Sequence, residues 1–216
     1  MKNIQMNTEM AKAILDGRKL QTRIVIKDND FIDIFLKNGG ELNKLIAVGR
    51  LSKYQKGEVI WVREPAEVTS MNAERMTIDY HYGADEWIVN EANKMFIPER
   101  FIDMDRTNEI VENFDLIKPK WIKECQGIPY GCIKEMARIF LKITDVRVER
   151  LHGISIEDIG KEGSHMDTKY AEDIGEDDFC YEWGIDTWDE TAPKGYQWSD
   201  NPYVFVYEFE RVKNDN

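Results

Sequence analysis

The chain has 216 residues, of which 42% are apolar and 32% charged, a composition that indicates a folded globular protein and excludes a disordered one. Its 41 acidic and 29 basic residues give a formal net charge of −12, which argues against a broad groove for a nucleic-acid backbone. This balance still allows a local basic cleft, or a pocket for one small nucleoside.

From the N-terminus the chain is predicted to form a strand, a helix, a strand and a second helix, over residues 3–6, 8–16, 17–27 and 31–48. Asn7 or Thr8 caps the first helix, and Gly17 stands where a helix-ending glycine belongs. The strand occupies the β-branched second half of its segment. The second helix is interrupted at Gly39-Gly40.

Residues 56–64, KGEVIWVRE, predict a strong strand that ends before Pro65, because proline cannot donate to a strand ladder. Both faces of this strand are partly apolar, which favours a central position in the sheet. Residues 66–125 are interpreted as an insertion into the same domain, with a strand at 76–82 and a polar loop at 100–114.

The C-terminal half is predicted to contain a strand, a helix, an acidic helical stretch and a final strand, over residues 137–151, 155–163, 168–184 and 201–212. Ser155 opens the helix, with Asp158 three residues later as a weak capping box, and Gly163 ends it. Residues 164–197 are interpreted as an acidic elaboration of the same domain.

This order of elements predicts an α+β protein made of one domain over residues 1–216. Short antiparallel strands with one or two helices across the openings favour a closed β-barrel. The N-terminal sequence MKNIQMNTEM lacks the apolar core of a signal peptide, and no apolar run is long enough to span a membrane. We therefore expect a cytoplasmic protein without a membrane partner, and the oligomeric state stays open.

The three cysteines, Cys125, Cys132 and Cys180, show no C-x-x-C spacing, which favours reduced thiols. Cys125, Cys132 and His165 form a conceivable zinc site. Their spacing fits no standard zinc motif, so we expect free thiols, with no metal and no other cofactor.

Four long segments, in this order, resemble the ASCH-domain family, and specifically its phage and prophage members. They are NTEMAKAILDGRKLQTR, KGEVIWVREP, ARIFLKITDVRVERLHGISIEDIGKEG and WSDNPYVFVYEF, at residues 7–23, 56–65, 137–163 and 198–209. The resemblance implies a PUA-like β-barrel with flanking helices. It also implies a cleft beside the barrel that binds RNA, a nucleotide or a modified nucleoside.

A bacterial member of the family is a metal-free amidohydrolase that deacetylates 4-acetylcytidine with a Lys and a Thr in a G-x-K-x-x-T motif and a later Glu. The motif is present here as Gly17, Lys19 and Thr22, and the glutamate corresponds to Glu162. The resemblance implies that Lys19 activates Thr22 as nucleophile, while Glu162 orients Lys19 or the substrate amine. Leu20 and Ile24 depart from the residues usual at their positions in the motif.

Ligand-binding candidates flank this motif and end the predicted central strand. Arg18 and Arg23 can meet a phosphate or a base edge, or can be exposed strand arginines. Arg63 and Glu64 stand where a barrel mouth is expected, and Glu64 can accept a hydrogen bond from a ligand or pair with Arg63 or Lys19.

Aromatic and histidine side chains give weaker signals. Trp61 and Trp121 can stack on a base, but core packing is the more usual role of a tryptophan in an apolar strand. His152 and His165 have no acid–base partner nearby in the sequence, which favours surface positions.

Two classes of function follow from these observations. One is a binding module for a nucleoside, a nucleotide or short RNA, and the other is an amidohydrolase acting on an acylated cytidine-type base. The acidic charge disfavours long RNA, whereas the intact motif at Lys19 and Thr22 keeps the enzyme hypothesis open.

Overall fold

The computed structural model describes residues 1–27, 29–41, 44, 52–71, 76–81, 87–92, 134 and 137–212. The predicted zinc ligands Cys125 and Cys132, the predicted loop at 100–114 and Trp121 lie outside these residues. The described part is a mixed α+β structure, as predicted.

Eight strands are described: β1 Asn3–Gln5, β2 Gln21–Val25, β3 Val59–Arg63, β4 Ala66–Met71, β5 Met76–His81, β6 Trp87–Ala92, β7 Phe140–Arg150 and β8 Tyr203–Val212. The α-helices are α1 Thr8–Leu15, α2 Asn29–Lys37, α3 Ile156–Lys161, α4 Tyr170–Ile174, α5 Glu176–Trp183 and α6 Asp189–Thr191. A π-helical turn, Gly184–Trp188, joins α5 to α6.

Five strands form one sheet in the order β1-β3-β7-β8-β2, and β4, β5 and β6 form a second, three-stranded sheet. The three strands predicted most strongly, β3, β7 and β8, all belong to the larger sheet, and β3 is interior as expected. This sheet begins at β1 and ends at β2, so its closure into a barrel is not shown.

The boundaries of the elements follow from local chemistry. The Oδ1 atom of Asn7 accepts a hydrogen bond from the Met10 N–H at 2.8 Å and so caps α1. Gly17 ends that helix with a φ of 75°, a conformation that glycine adopts without steric cost. The Ser155 hydroxyl accepts from the Asp158 N–H at 3.2 Å and caps α3.

Two compact units make up the chain. The first comprises Met1–Lys12, Ile60–Phe140 and Lys213–Asn216, and within it β1 pairs in parallel with β3. The three-stranded antiparallel sheet also belongs to this unit. It corresponds to the predicted insertion, of which only the middle strand, β5, was expected.

The second unit comprises Ala13–Val59 and Leu141–Val212, and within it β2 pairs antiparallel with β8. The acidic segment buries one helical face in a core that includes Phe179, Trp183, Trp188 and Trp198. Gly184 lies directly under Trp198, and an added Cβ there would come within 2.1 Å of the indole ring. This close approach requires glycine at that position.

No helix among the described residues is long and apolar enough to cross a membrane.

Candidate functional site

A buried ion pair joins the predicted motif to the helix that was expected to supply its glutamate. After α1 the backbone turns at Gly17, and the N–H groups of Arg18 and Lys19 both donate to the Ala13 carbonyl, at 2.8 and 3.0 Å. Lys19 then extends towards the end of α3. Its Nζ donates to Oε2 and to the backbone oxygen of Glu162, both at 2.8 Å.

Arg23 joins the same carboxylate from β2. Its Nη1 donates to Oε1 of Glu162 at 2.9 Å, and its Nη2 donates to Glu149 at 2.6 Å and to Asp158 at 3.0 Å. The side chains of Lys19, Arg23 and Glu162 are 2%, 1% and 9% exposed. We call these three residues the inner cluster.

A second layer, which the sequence analysis missed, surrounds the inner cluster. Arg147 donates through Nε to Glu149 at 3.2 Å, through Nη1 to Glu208 at 2.6 Å and through Nη2 to Asp158 at 3.1 Å. Gln21 donates to the backbone oxygen of Asp158 at 3.0 Å. The one available signal was the alternation of β7, which places residues 147 and 149 on the same face of a strand.

Thr22, the predicted nucleophile, is placed differently from Lys19 and Glu162. It lies opposite Tyr207 in the pairing of β2 with β8, so the two side chains share one face of the sheet. Its neighbours Gln21 and Arg23 both contact Asp158. Because side chains alternate along a strand, Thr22 projects from the face opposite to the inner cluster.

Arg18 lies at the edge of the inner cluster. Its Nη1 donates to the Gly163 carbonyl at 2.9 Å, and its Nη2 pairs with Asp16 at 3.3 Å. The Arg18 side chain is 34% exposed, so it remains accessible to a ligand.

The other two ligand-binding candidates lie in the first unit. Glu64 is fully buried and accepts two hydrogen bonds from Arg138, from Nε at 3.0 Å and from Nη2 at 2.8 Å. Glu64 therefore pairs with Arg138, and not with Arg63 or Lys19, the two partners considered from the sequence. The Nε atom of Arg63 is buried without a hydrogen-bond partner among the described residues.

The remaining candidates are the tryptophan, histidine and cysteine side chains considered from the sequence. Trp61 is buried in β3, as its apolar strand predicted. His152 contacts the Trp198 ring at 4.4 Å between centroids, and its Nε2 lies 2.7 Å from the Trp198 carbonyl oxygen. His165 is exposed, and Cys180 is a buried free thiol. No group of three or more potential metal ligands occurs among the residues that the structure describes.

Gly163 fixes the distance between α3 and the motif. Its φ is 80°, and an added Cβ would lie 2.9 Å from the Cβ atoms of Ala13 and Lys19. We expect Gly163→Ala to lower the free energy of unfolding by about 1–3 kcal/mol, from the left-handed backbone and the clash together. Chemical denaturation measures the change.

Gly160→Ala is the matched control, because Gly160 lies within α3 and an added Cβ there meets nothing within 4 Å. This substitution should be neutral, or should stabilise the protein by up to about 1 kcal/mol. Equal effects of the two substitutions would contradict the close approach at Gly163.

Asp158 connects the two layers electrostatically. Burial alone would raise the pKa of its carboxyl group, but the guanidinium groups of Arg23 and Arg147 outweigh that effect and hold the pKa below its usual value. A carboxyl group with a lowered pKa in the folded state stabilises the protein above its unfolded pKa of about 3.9. That contribution is lost as the pH falls through the folded-state value.

We therefore expect Asp158→Asn to destabilise the protein at pH 7 and the difference from wild type to shrink below about pH 4. Urea denaturation at a series of pH values measures this difference. Asp186→Asn is the control, since Asp186 is exposed and forms no ion pair among the described residues. A difference for Asp158→Asn that stays constant down to acid pH would contradict the assigned ion pairs.

Comparisons with known proteins identify no family for the chain. No family model matches it, and no curated protein matches it. Among solved structures, it is similar to the crystal structure of protein EF3133 from Enterococcus faecalis V583, described with the family model DUF984. The similarity covers 99% of this chain and 77% of the other, at 11% sequence identity and a TM-score of 0.39.

Proposed function

We propose that this chain is a PUA-like module of the ASCH type that binds a nucleobase-bearing ligand: a nucleoside, a nucleotide or short RNA. The observation that carries the proposal is the inner cluster. It joins Lys19 and Arg23, from the motif segment, to Glu162, from the third of the four segments that carry the resemblance.

Energetics support a role beyond stability for this cluster. Burying an ammonium, a guanidinium and a carboxylate costs several kcal/mol per ion, and a well-packed apolar replacement is often as stable or more so. A buried ion-pair network is therefore weak evidence for stability. Groups of this kind, with donors and acceptors fixed by neighbours, suit the polar edge of a base.

Exposure determines how a ligand reaches the site. Lys19 and Arg23 are almost fully buried, and both donate hydrogen bonds to the Glu162 carboxylate. A ligand therefore reaches these donors by replacing Glu162 as the acceptor of one or more of these hydrogen bonds. Arg18, which is 34% exposed beside Gly163, supplies a further donor at the edge. Base edges carry both acceptors and amino groups, so they can satisfy Lys19 and Glu162 together.

The charge of the chain limits the size of the ligand. With a net charge of −12, the protein offers few phosphate contacts, so we expect binding of a short single-stranded oligoribonucleotide to depend weakly on salt. Each phosphate contact to a single strand contributes a log–log slope of about −0.7. Calorimetric titrations at several salt concentrations should give a slope shallower than about −3, and a steeper slope would restore a long-RNA surface.

A second candidate function, deacylation of a 4-acetylcytidine-type base, is favoured by the 2.8 Å contact between Lys19 and Glu162. In that reaction Thr22 attacks the acyl carbon and gives its proton to Lys19. The amine then leaves with that proton, and water releases acetate from the acyl-threonine. Thr22, however, projects from the opposite face of β2, whereas the Lys19 side chain donates to Glu162, so the two side chains do not converge.

The geometry therefore favours binding over catalysis. Incubation of the purified protein with 4-acetylcytidine, without added metal, distinguishes the two functions. Acetate release that is lost in both Lys19→Ala and Lys19→Arg would establish the hydrolase, since a guanidinium cannot give up its proton. Absence of turnover leaves the binding module.

A further inference from the structure

Most side-chain donors of the buried cations in the site are directed at protein carboxylates, and the Nε atom of Arg23 is buried without a hydrogen-bond partner among the described residues. Arg147 donates to Glu149, Asp158 and Glu208, and it bridges them through all three of its nitrogens. Lys161, the last residue of α3, is paired with Glu157 at 2.6 Å. These positive charges are therefore largely compensated before any ligand arrives.

Carboxylates outnumber cations in this network. Three cations contact four carboxylates, a formal balance of −1; they are Lys19, Arg23 and Arg147, with Glu149, Asp158, Glu162 and Glu208. The network has no surplus positive charge to offer an anion.

The carboxylates of this network are also more accessible to solvent than its inner cations. The inner cations Lys19 and Arg23 are 2% and 1% exposed, whereas the Glu208 side chain is 35% exposed and that of Glu149 is 21% exposed. Only Oε1 of Glu208 is engaged, by Arg147, and Oε2 accepts no hydrogen bond from the described residues. A ligand that arrives from solvent at this edge can therefore donate a hydrogen bond to Oε2 of Glu208.

We infer that the site selects for a neutral or cationic base that presents N–H donors and selects against a phosphorylated ligand, with Glu208 as a specificity-determining residue. The inference rests on the proposed function and narrows its ligand class. A carboxylate acceptor strengthens hydrogen bonds from amino and ring N–H groups. A phosphate placed near Glu208 and Glu149 meets like charge, and the cations that would offset this repulsion are already paired.

The test compares the four common ribonucleosides with their 5′-monophosphates by isothermal titration calorimetry at low ionic strength. We expect at least one nucleoside to bind at least about tenfold more tightly than its monophosphate. In Glu208→Gln that ratio should fall to about threefold or less, because one repelling charge is removed. Glu210→Gln is the matched control, since Glu210 lies two residues along β8 and pairs with Lys142 at 3.5 Å.

The outcomes separate this inference from the proposed function. A monophosphate that binds as tightly as its nucleoside, or more tightly, overturns the selection against phosphate and leaves the binding module standing. Equal effects of Glu208→Gln and Glu210→Gln overturn the assignment of specificity to Glu208. If neither nucleosides nor monophosphates bind, the inference fails; the proposed function fails with it when a short oligoribonucleotide does not bind either.

Discussion

Replacing Glu162 with glutamine is expected to lower the free energy of unfolding by about 3–5 kcal/mol, the usual cost of removing one partner from a buried ion pair. The loss arises because the Lys19 side chain, which is 2% exposed, no longer has the carboxylate that accepts its hydrogen bond at 2.8 Å. Urea denaturation at neutral pH measures the change. Glu157→Gln removes the same charge from a side chain that is 78% exposed and should change stability by less than about 0.5 kcal/mol.

A double substitution separates the net contribution of the Lys19–Glu162 ion pair to stability from the cost of leaving one partner buried alone. In Lys19→Met combined with Glu162→Gln no lysine charge remains, so we expect at least half of the lost stability to return. A single Glu162→Gln substitution that costs no more than Glu157→Gln would show that the Lys19 contact is not formed in solution.

Replacing Glu64 with glutamine is expected to have a similar effect in the first unit, about 3–5 kcal/mol of lost stability. Glu64 is fully buried and accepts both hydrogen bonds of a bidentate pair with Arg138. Glutamine keeps one acceptor but places an amide opposite a guanidinium donor. Thermal and urea denaturation measure the effect, with Glu210→Gln, which is 56% exposed, as the surface control.

The Glu64 result also bears on its predicted role at a ligand. If Glu64 has a structural role, Glu64→Gln lowers the stability of the protein, and the fraction of the variant that is folded should bind nucleosides as wild type does. If Glu64→Gln keeps its full stability and loses nucleoside binding, the structural assignment is wrong and the predicted ligand role stands.

Local patterns were sufficient to predict most of the described elements. The Asn7 cap and Gly17 predicted the ends of α1, and the segments 56–64, 137–151 and 201–212 predicted β3, β7 and β8. In the three-stranded sheet only β5 was predicted. The register of β4 against β5 shifts between Val68 and Ser70, and such an irregularity interrupts the alternation that reveals a strand.

The site was predictable only in part, because its partners are distant in sequence. The motif and the resemblance pointed to Lys19, Arg23 and Glu162, which the structure brings together. They gave no sign of Glu208, which reaches the cluster through Arg147 on β7. Pairing across strands depends on sheet order, and alternation within one strand does not specify which strand lies beside it.

The position of Thr22 was also not predictable from the sequence. Lys19 and Thr22 are three residues apart, so their side chains can lie on the same side only where the backbone departs from a regular strand. Lys19 precedes β2, whose first residue is Gln21, so Lys19 can turn towards α3 while Thr22 keeps the alternation of the strand. Sequence spacing alone does not decide between these two geometries.

The central claim, that the inner cluster binds a nucleobase, is tested most directly by titrating wild type and Lys19→Met with the four ribonucleosides and a short oligoribonucleotide. Lys142→Met, which removes a lysine charge from a side chain that is 48% exposed, is the control. We expect saturable binding by wild type and by Lys142→Met, and about a ten- to hundredfold weaker affinity in folded Lys19→Met. Wild-type affinity in folded Lys19→Met, or no binding by wild type, would contradict it.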